Sequence, residues 1–132
     1  MTRKTLAIIG LITLAIGTLS CCAMLNAPKK VVNEHLKAWA DKDYETGYAL
    51  HAPTMNKTLP PEEFKYHVDN IRIKSFKATS INVSGTSAKV KGTVVLENEE
   101  KWGFRYTLIQ RGDEWRIIGY DISPGALFEE ED

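Results

Sequence analysis

The most constraining feature of the chain is a run without charge at its N-terminal end. Residues 5–25 read TLAIIGLITLAIGTLSCCAML and contain no acidic or basic side chain, and Arg3 and Lys4 stand immediately before them. At a helical rise of ~1.5 Å per residue the run spans roughly 32 Å, enough for a hydrocarbon core of ~30 Å. A helix buried in a small soluble domain is rarely so uniformly apolar, so the sequence divides into a tether and a domain. Residues 1–27 are read as a membrane anchor or signal segment, residues 28–124 as a folded domain, and residues 125–132 as an acidic, disordered tail ending in Glu129-Glu130-Glu131-Asp132. The division also splits the charge. The whole chain balances 17 Lys and Arg against 17 Asp and Glu; without Arg3 and Lys4 the remainder holds 15 against 17.

Three readings of the tether follow from chemistry. A single-pass anchor fits the length best and makes residues 5–25 the contact with membrane lipid. A lipoprotein signal would acylate Cys21 or Cys22, because Leu19-Ser20 precedes them as small-residue boxes do. A cleaved secretory signal needs a shorter apolar core than this one. Each places the C-terminal domain outside the cytoplasm, in a cell membrane context, single-pass or lipid-anchored.

Composition removes several function classes. A mildly acidic domain lacks the basic excess of a general nucleic-acid binder. Two cysteines, both in the tether, provide neither a disulfide scaffold nor a thiolate metal site. The sequence contains no phosphate-cradling glycine loop, no metal-ligand spacing and no nucleophile with a matched base. No cofactor and no metal is expected.

The domain begins helically. Val31, His35 and Trp39, with Val32, Leu36 and Ala40, form one apolar stripe on a helix of about residues 28–41. Asp43 caps a short second helix carrying Tyr44 and Tyr48, and His51-Ala52-Pro53 ends it. A polar loop, Thr54 to Thr58, is expected next. Pro60, Pro61, Glu62 and Glu63 then open a further helix with acids in its first turn, burying Phe64, His67, Val68 and Ile71. From Ile73 the period becomes alternating, with turn signals at Ser84-Gly85-Thr86, Glu97–Glu100 and Arg111-Gly112-Asp113. Four strands result, at about 73–83, 87–96, 101–110 and 114–122. In the last, Ile118, Tyr120 and Ile122 are expected on one face and Trp115 and Ile117 on the other. The expected fold class is α+β: an N-terminal transmembrane helix, then two to three short helices packed on a curved, cone-like, four-stranded antiparallel sheet.

Three stretches carry a family resemblance: His35-Leu36-Lys37-Ala38-Trp39-Ala40-Asp41-Lys42-Asp43-Tyr44, Leu59-Pro60-Pro61-Glu62-Glu63-Phe64, and Ala88-Lys89-Val90-Lys91-Gly92-Thr93-Val94 with Trp115-Arg116-Ile117. With the element order they resemble the nuclear transport factor 2-like (cystatin-like) superfamily, in particular its small membrane-tethered or lipoprotein bacterial members. A weaker resemblance is to membrane-anchored assembly factors of the mitochondrial inner membrane. Enzymatic members of the superfamily place an acid–base pair inside the cone, but no such motif maps onto this chain residue by residue.

The candidate pocket residues are Trp39, Tyr44, Tyr48, Tyr106 and Asp121. Asp121 interrupts an apolar strand, where a carboxylate must be paired, exposed at a strand end or functional. Arg105 and Arg116 are the partners within reach. His35 reads as a core or rim histidine, His51 as a charged group suited to a helix end, and His67 as packing. The expected function is a membrane-tethered binding domain without catalysis, taking a protein partner or a ligand in the membrane or envelope. A small-molecule-binding or isomerase/dehydratase-like enzyme and an accessory subunit of a membrane complex are the alternatives.

Overall fold

A computed structural model describes residues 27–127. The transmembrane expectation for residues 5–25, the lipidation expectation at Cys21 and Cys22, and the acidic end of the tail lie outside the described residues. No helix among the described residues is long and apolar enough to cross a membrane.

The described helices number four: α1 (residues 27–40), α2 (Tyr44–Ala49), α3 (Pro53–Thr58) and α4 (Pro61–Asn70). Their stripes explain them. Val32, Leu36 and Trp39 of α1 are buried, as are Phe64 and Val68 of α4. Asp43 caps α2 by accepting a hydrogen bond from the Thr46 N–H at 3.3 Å. α4 opens with Pro61 at its first position, followed by Glu62 and Glu63, which suit the helix dipole there.

The segment Thr54–Thr58 is helical, where a polar loop was expected. Three local forces make it so. Pro53 sets the first φ of α3, the N–H of Ala52 is held by the Ile117 carbonyl at 2.8 Å, and Met55 is drawn into the core.

Four strands follow: β1 (Ile73–Ser84), β2 (Ser87–Leu96), β3 (Lys101–Arg111) and β4 (Glu114–Ser123). They pair antiparallel in sequence order, so β1 and β4 are the two edges. Extra residues at Lys74 and Thr79 shift the β1–β2 register, and another lies in β4 between Ile117 and Gly119. Bulges of this kind add twist and curvature. The one in β4 also resets the alternation. Leu108 faces Ile117, whereas Tyr106 faces Tyr120 and Phe104 faces Ile122. Trp115, Ile117, Tyr120 and Ile122 therefore share the inner face. Ile118, expected beside Tyr120, is the displaced residue and is exposed.

The inner face of the sheet and the helices enclose one core, built on Leu36, Trp39, Phe64, Val90, Phe104, Leu108 and Ile117. Beyond Pro124 the chain does not simply leave. Residues Gly125–Leu127, expected as the start of the tail, form a 3-10 turn across the outer face, directly over Gly103. A side chain at Gly103 would strike the backbone of Ala126 and Leu127.

Candidate functional site

The polar groups of the cone interior converge on one cluster. α1 supplies His35 and, one turn on, Trp39. The link between α2 and α3 supplies His51, fixed by pairing with β4: the Ile117 N–H donates to the Leu50 carbonyl at 3.0 Å, and the Ala52 N–H to that of Ile117. α4 supplies Phe64 and His67, β3 supplies Tyr106, and β4 supplies Tyr120.

His35 lies at the centre and is completely buried. Its Nδ1 is 2.7 Å from the Tyr106 hydroxyl, and its Nε2 is 2.8 Å from Nε2 of His51. His51 is 2% exposed, and its Nδ1 has no hydrogen-bond partner among the described residues. Beside this chain, His67 Nδ1 meets the Tyr120 hydroxyl at 2.8 Å.

Electrostatics follow from burial. Desolvation, then the neighbouring His51, push the His35 pKa well below the ordinary histidine value. Desolvation lowers His51 to about 4. Burial raises the pKa of both Tyr106 and Tyr120, so the hydroxyls hold their protons. At neutral pH the imidazoles of His35 and His51 are uncharged, and His51 does not carry the helix-end charge expected of it.

Neutral imidazoles allow two proton arrangements. In one, Tyr106 donates to His35 Nδ1, His35 Nε2–H donates to His51 Nε2, and the His51 Nδ1–H is left over. In the other, every donor reverses, and the Tyr106 hydroxyl proton is left over. The first arrangement leaves only the His51 Nδ1–H unmatched, whereas the second leaves both the Tyr106 hydroxyl proton and the His51 Nδ1 lone pair unmatched within the hydrogen-bonded chain. The hydrogen-bonded chain can pass a proton along itself. Phe64 packs 5.4 Å from the His35 ring and 5.0 Å from that of His51, centroid to centroid, and Trp39 and Tyr120 close in at 6.0 and 5.5 Å.

The five pocket residues singled out from the sequence have separate places. Trp39 and Tyr106 are in the core, and the Trp39 indole N–H donates to the Ile71 carbonyl at 2.7 Å. Tyr48 is half-buried and donates to the Leu59 carbonyl at 2.7 Å. Tyr44 reaches outward to Asp69 at 2.6 Å. Asp121 lies on the outer face of the sheet, opposite Arg105 in register and ion-paired to it at 2.9 Å. The other arginine, Arg116, turns to Glu114 and to the Ala49 carbonyl. Sequence reasoning missed that His35, His51 and Tyr106 meet. The apolar neighbourhood of His35 was the available signal; its partners come from elements far apart in the chain.

Open space lies outside the cone. A recess of about 750 Å3 runs between α1 and β1, with Lys29, Lys30, Lys37 and Lys77 around Phe76 and Ala78. Glu34 and Asn33 complete its wall. Lys37 is bridged to Asp41 at 2.9 Å, with both side chains in solvent. Among the described residues, no group of three or more His, Cys, Asp or Glu side chains is placed to hold a metal ion.

Comparison with known proteins agrees with this geometry. Solved structures share the fold at low identity. An NTF2-like protein from Campylobacter jejuni, which carries the name transpeptidase, is 14% identical with a TM-score of 0.57, covering 68% of this chain and 95% of its own. A SEC-C motif containing protein from Rhodopseudomonas palustris is 11% identical with a TM-score of 0.60, covering 76% and 87%. A de novo designed protein with a curved β-sheet reaches 0.53 at 12% identity, covering 73% and 98%. At these identities the likeness is one of fold, and a designed chain among them shows that the fold stands without any inherited activity. No curated protein matches the chain. The family model described as "Domain of unknown function (DUF4864)" matches residues 26–126. The chain therefore belongs to that family, and its architecture is that of the nuclear transport factor 2-like proteins.

Proposed function

We propose that the chain is a membrane-tethered, extracytoplasmic binding module that acts without catalysis and takes an acidic protein segment along the recess between α1 and β1. The filled cone is the observation that carries this reading. The position where superfamily enzymes hold reactants is occupied here by His35, Trp39, Phe64 and Tyr106, while Asp121 points away from it. What remains for recognition is outside. Lysines there surround an apolar strip on an edge strand whose outward backbone groups have no neighbouring strand among the described residues. An extended acidic segment suits both features, pairing with the strand edge and placing carboxylates near the lysines.

The tether belongs to the same proposal and draws its support from the charge-free run of residues 5–25. The test is a titration of the full chain, in nonionic detergent, with a fluorescein-labelled peptide of alternating Glu and Leu. Binding is expected to weaken about tenfold in Lys37→Glu/Lys77→Glu and to fall with added salt. Equal affinity for a Lys/Leu peptide, or no effect of the charge reversal, would sink the reading.

A further inference from the structure

We infer that the pole of the domain formed by the start of α1 and the tip of the β1–β2 hairpin rests on an anionic phospholipid surface; this rests on the tether reading above.

Three observations meet at that pole. The first is apolar exposure where the fold supplies no cover. Ile81 and Val83 are 38% and 47% exposed, although their cross-strand partners Val90 and Ala88 are buried. They belong to the inner face of the sheet, but they lie toward the end of β1, next to a hairpin turn at Gly85 with open space around it. The second is charge. Lys29 lines one recess together with Ala78, Thr79, Ser80 and Ile81, so the start of α1 and the exposed apolar pair are neighbours. Lys30 follows Lys29, and Lys89 pairs with Asn82 across the same hairpin. The β3–β4 turn at this pole contributes Arg111 and Asp113, and Glu114, whose charge is bridged by Arg116 at 2.8 Å. The α1 and hairpin side is thus basic and apolar together, which is the composition that binds an interface carrying negative headgroups.

The third is distance. The charge-free run ends at Leu25, and α1 is already in place at Ala27. Two residues reach at most ~7 Å whatever their conformation. With the run in a bilayer, the start of α1 cannot leave the headgroup region, and it brings Lys29 and the hairpin tip with it. Ile81 and Val83 would enter the boundary between headgroups and acyl chains, and Lys29, Lys30 and Lys89 would meet phosphates. The recess along α1 would then open at the membrane surface and lead away from it.

The experiment uses the full chain in lipid nanodiscs, made either of phosphatidylcholine alone or with added phosphatidylglycerol. Hydrogen exchange is followed over residues 81–88. Exchange there is expected to slow about fivefold in the anionic discs, and Ile81→Asp/Val83→Asp should abolish that slowing. Circular dichroism confirms that this variant folds; if it does not, Lys29→Glu/Lys30→Glu is read in its place, with the same loss expected. A chain that resists carbonate extraction from the discs, yet whose tip exchanges at one rate in both lipids, overturns the docking and leaves the tether standing. A chain that carbonate removes overturns the tether and the docking with it.

Discussion

Two buried imidazoles in contact make the domain acid-sensitive in a way its carboxylates do not. In the unfolded chain both histidines titrate near 6.5. In the fold His51 titrates near 4 and His35 well below its ordinary value, both chiefly because burial penalises the cation. The sign follows directly. The unfolded state binds more protons than the folded state once the pH falls below about 6.5, so stability falls with the pH and stops falling only below the folded values. For His51 alone the loss between pH 7 and pH 5 is about 2 kcal/mol, at about 1.4 kcal/mol per pH unit once the unfolded imidazole is charged. His35 adds to it in the same direction. The window is useful because most carboxylates stay ionised down to about pH 5. Urea unfolding of the full chain at half-unit steps from pH 7.5 to 5 measures it. His51→Phe should remove a large part of the slope, while lowering stability at pH 7.5 by about 1–3 kcal/mol because His35 Nε2 loses its partner. A midpoint that stays flat from pH 7 to 5 would refute the argument, since it would mean that the imidazoles are hydrated or already protonated in the fold.

Two further changes test the sheet. Gly92→Ala would drive a methyl group onto the Lys77 carbonyl and the Phe104 ring, so it should cost about 2–4 kcal/mol in thermal unfolding; a loss under 0.5 kcal/mol would show that β1 can move aside. Asp121→Asn should change stability by less than about 1 kcal/mol, because its half-buried bridge to Arg105 still reaches solvent; a larger loss, or loss of peptide binding, would give Asp121 a role that its position does not supply.

The parts of the fold that were legible in the sequence are those with a long period and a clear stop. The stripe of α1 repeats over several turns, and each hairpin has its own turn signal, so the four strands could be placed closely. α3 was not legible, because a six-residue helix is too short to show a period and its composition is polar; tertiary pull on Met55 and Ala52 decides it. The parity of β4 failed at a single residue. Gly119 beside Ile118 was the available hint of a bulge, but only the pairing with β3 shows which residue is displaced. At the candidate site, the burial of His35 could be read from its stripe. Its contact with His51, sixteen residues away, could not, because that contact depends on Leu50–Ala52 joining β4, which no local pattern announces. Arg105 was one of two cations within sequence reach of Asp121, and the register between β3 and β4 selects it.

That same join sets how the sheet can grow. The strand edge of β4 is stitched to the α2–α3 link at Leu50 and Ala52, whereas the edge of β1 has no such companion among the described residues. The sheet is therefore a one-ended surface. A visiting strand has one side to join, and the regular stretch open to it is short, bracketed by the irregularities at Lys74 and Thr79. Pairing that begins there also stops there. A second copy joined edge to edge would present at each outer limit a β4 whose edge is already taken at Ile117, which interrupts the addition of a further strand there.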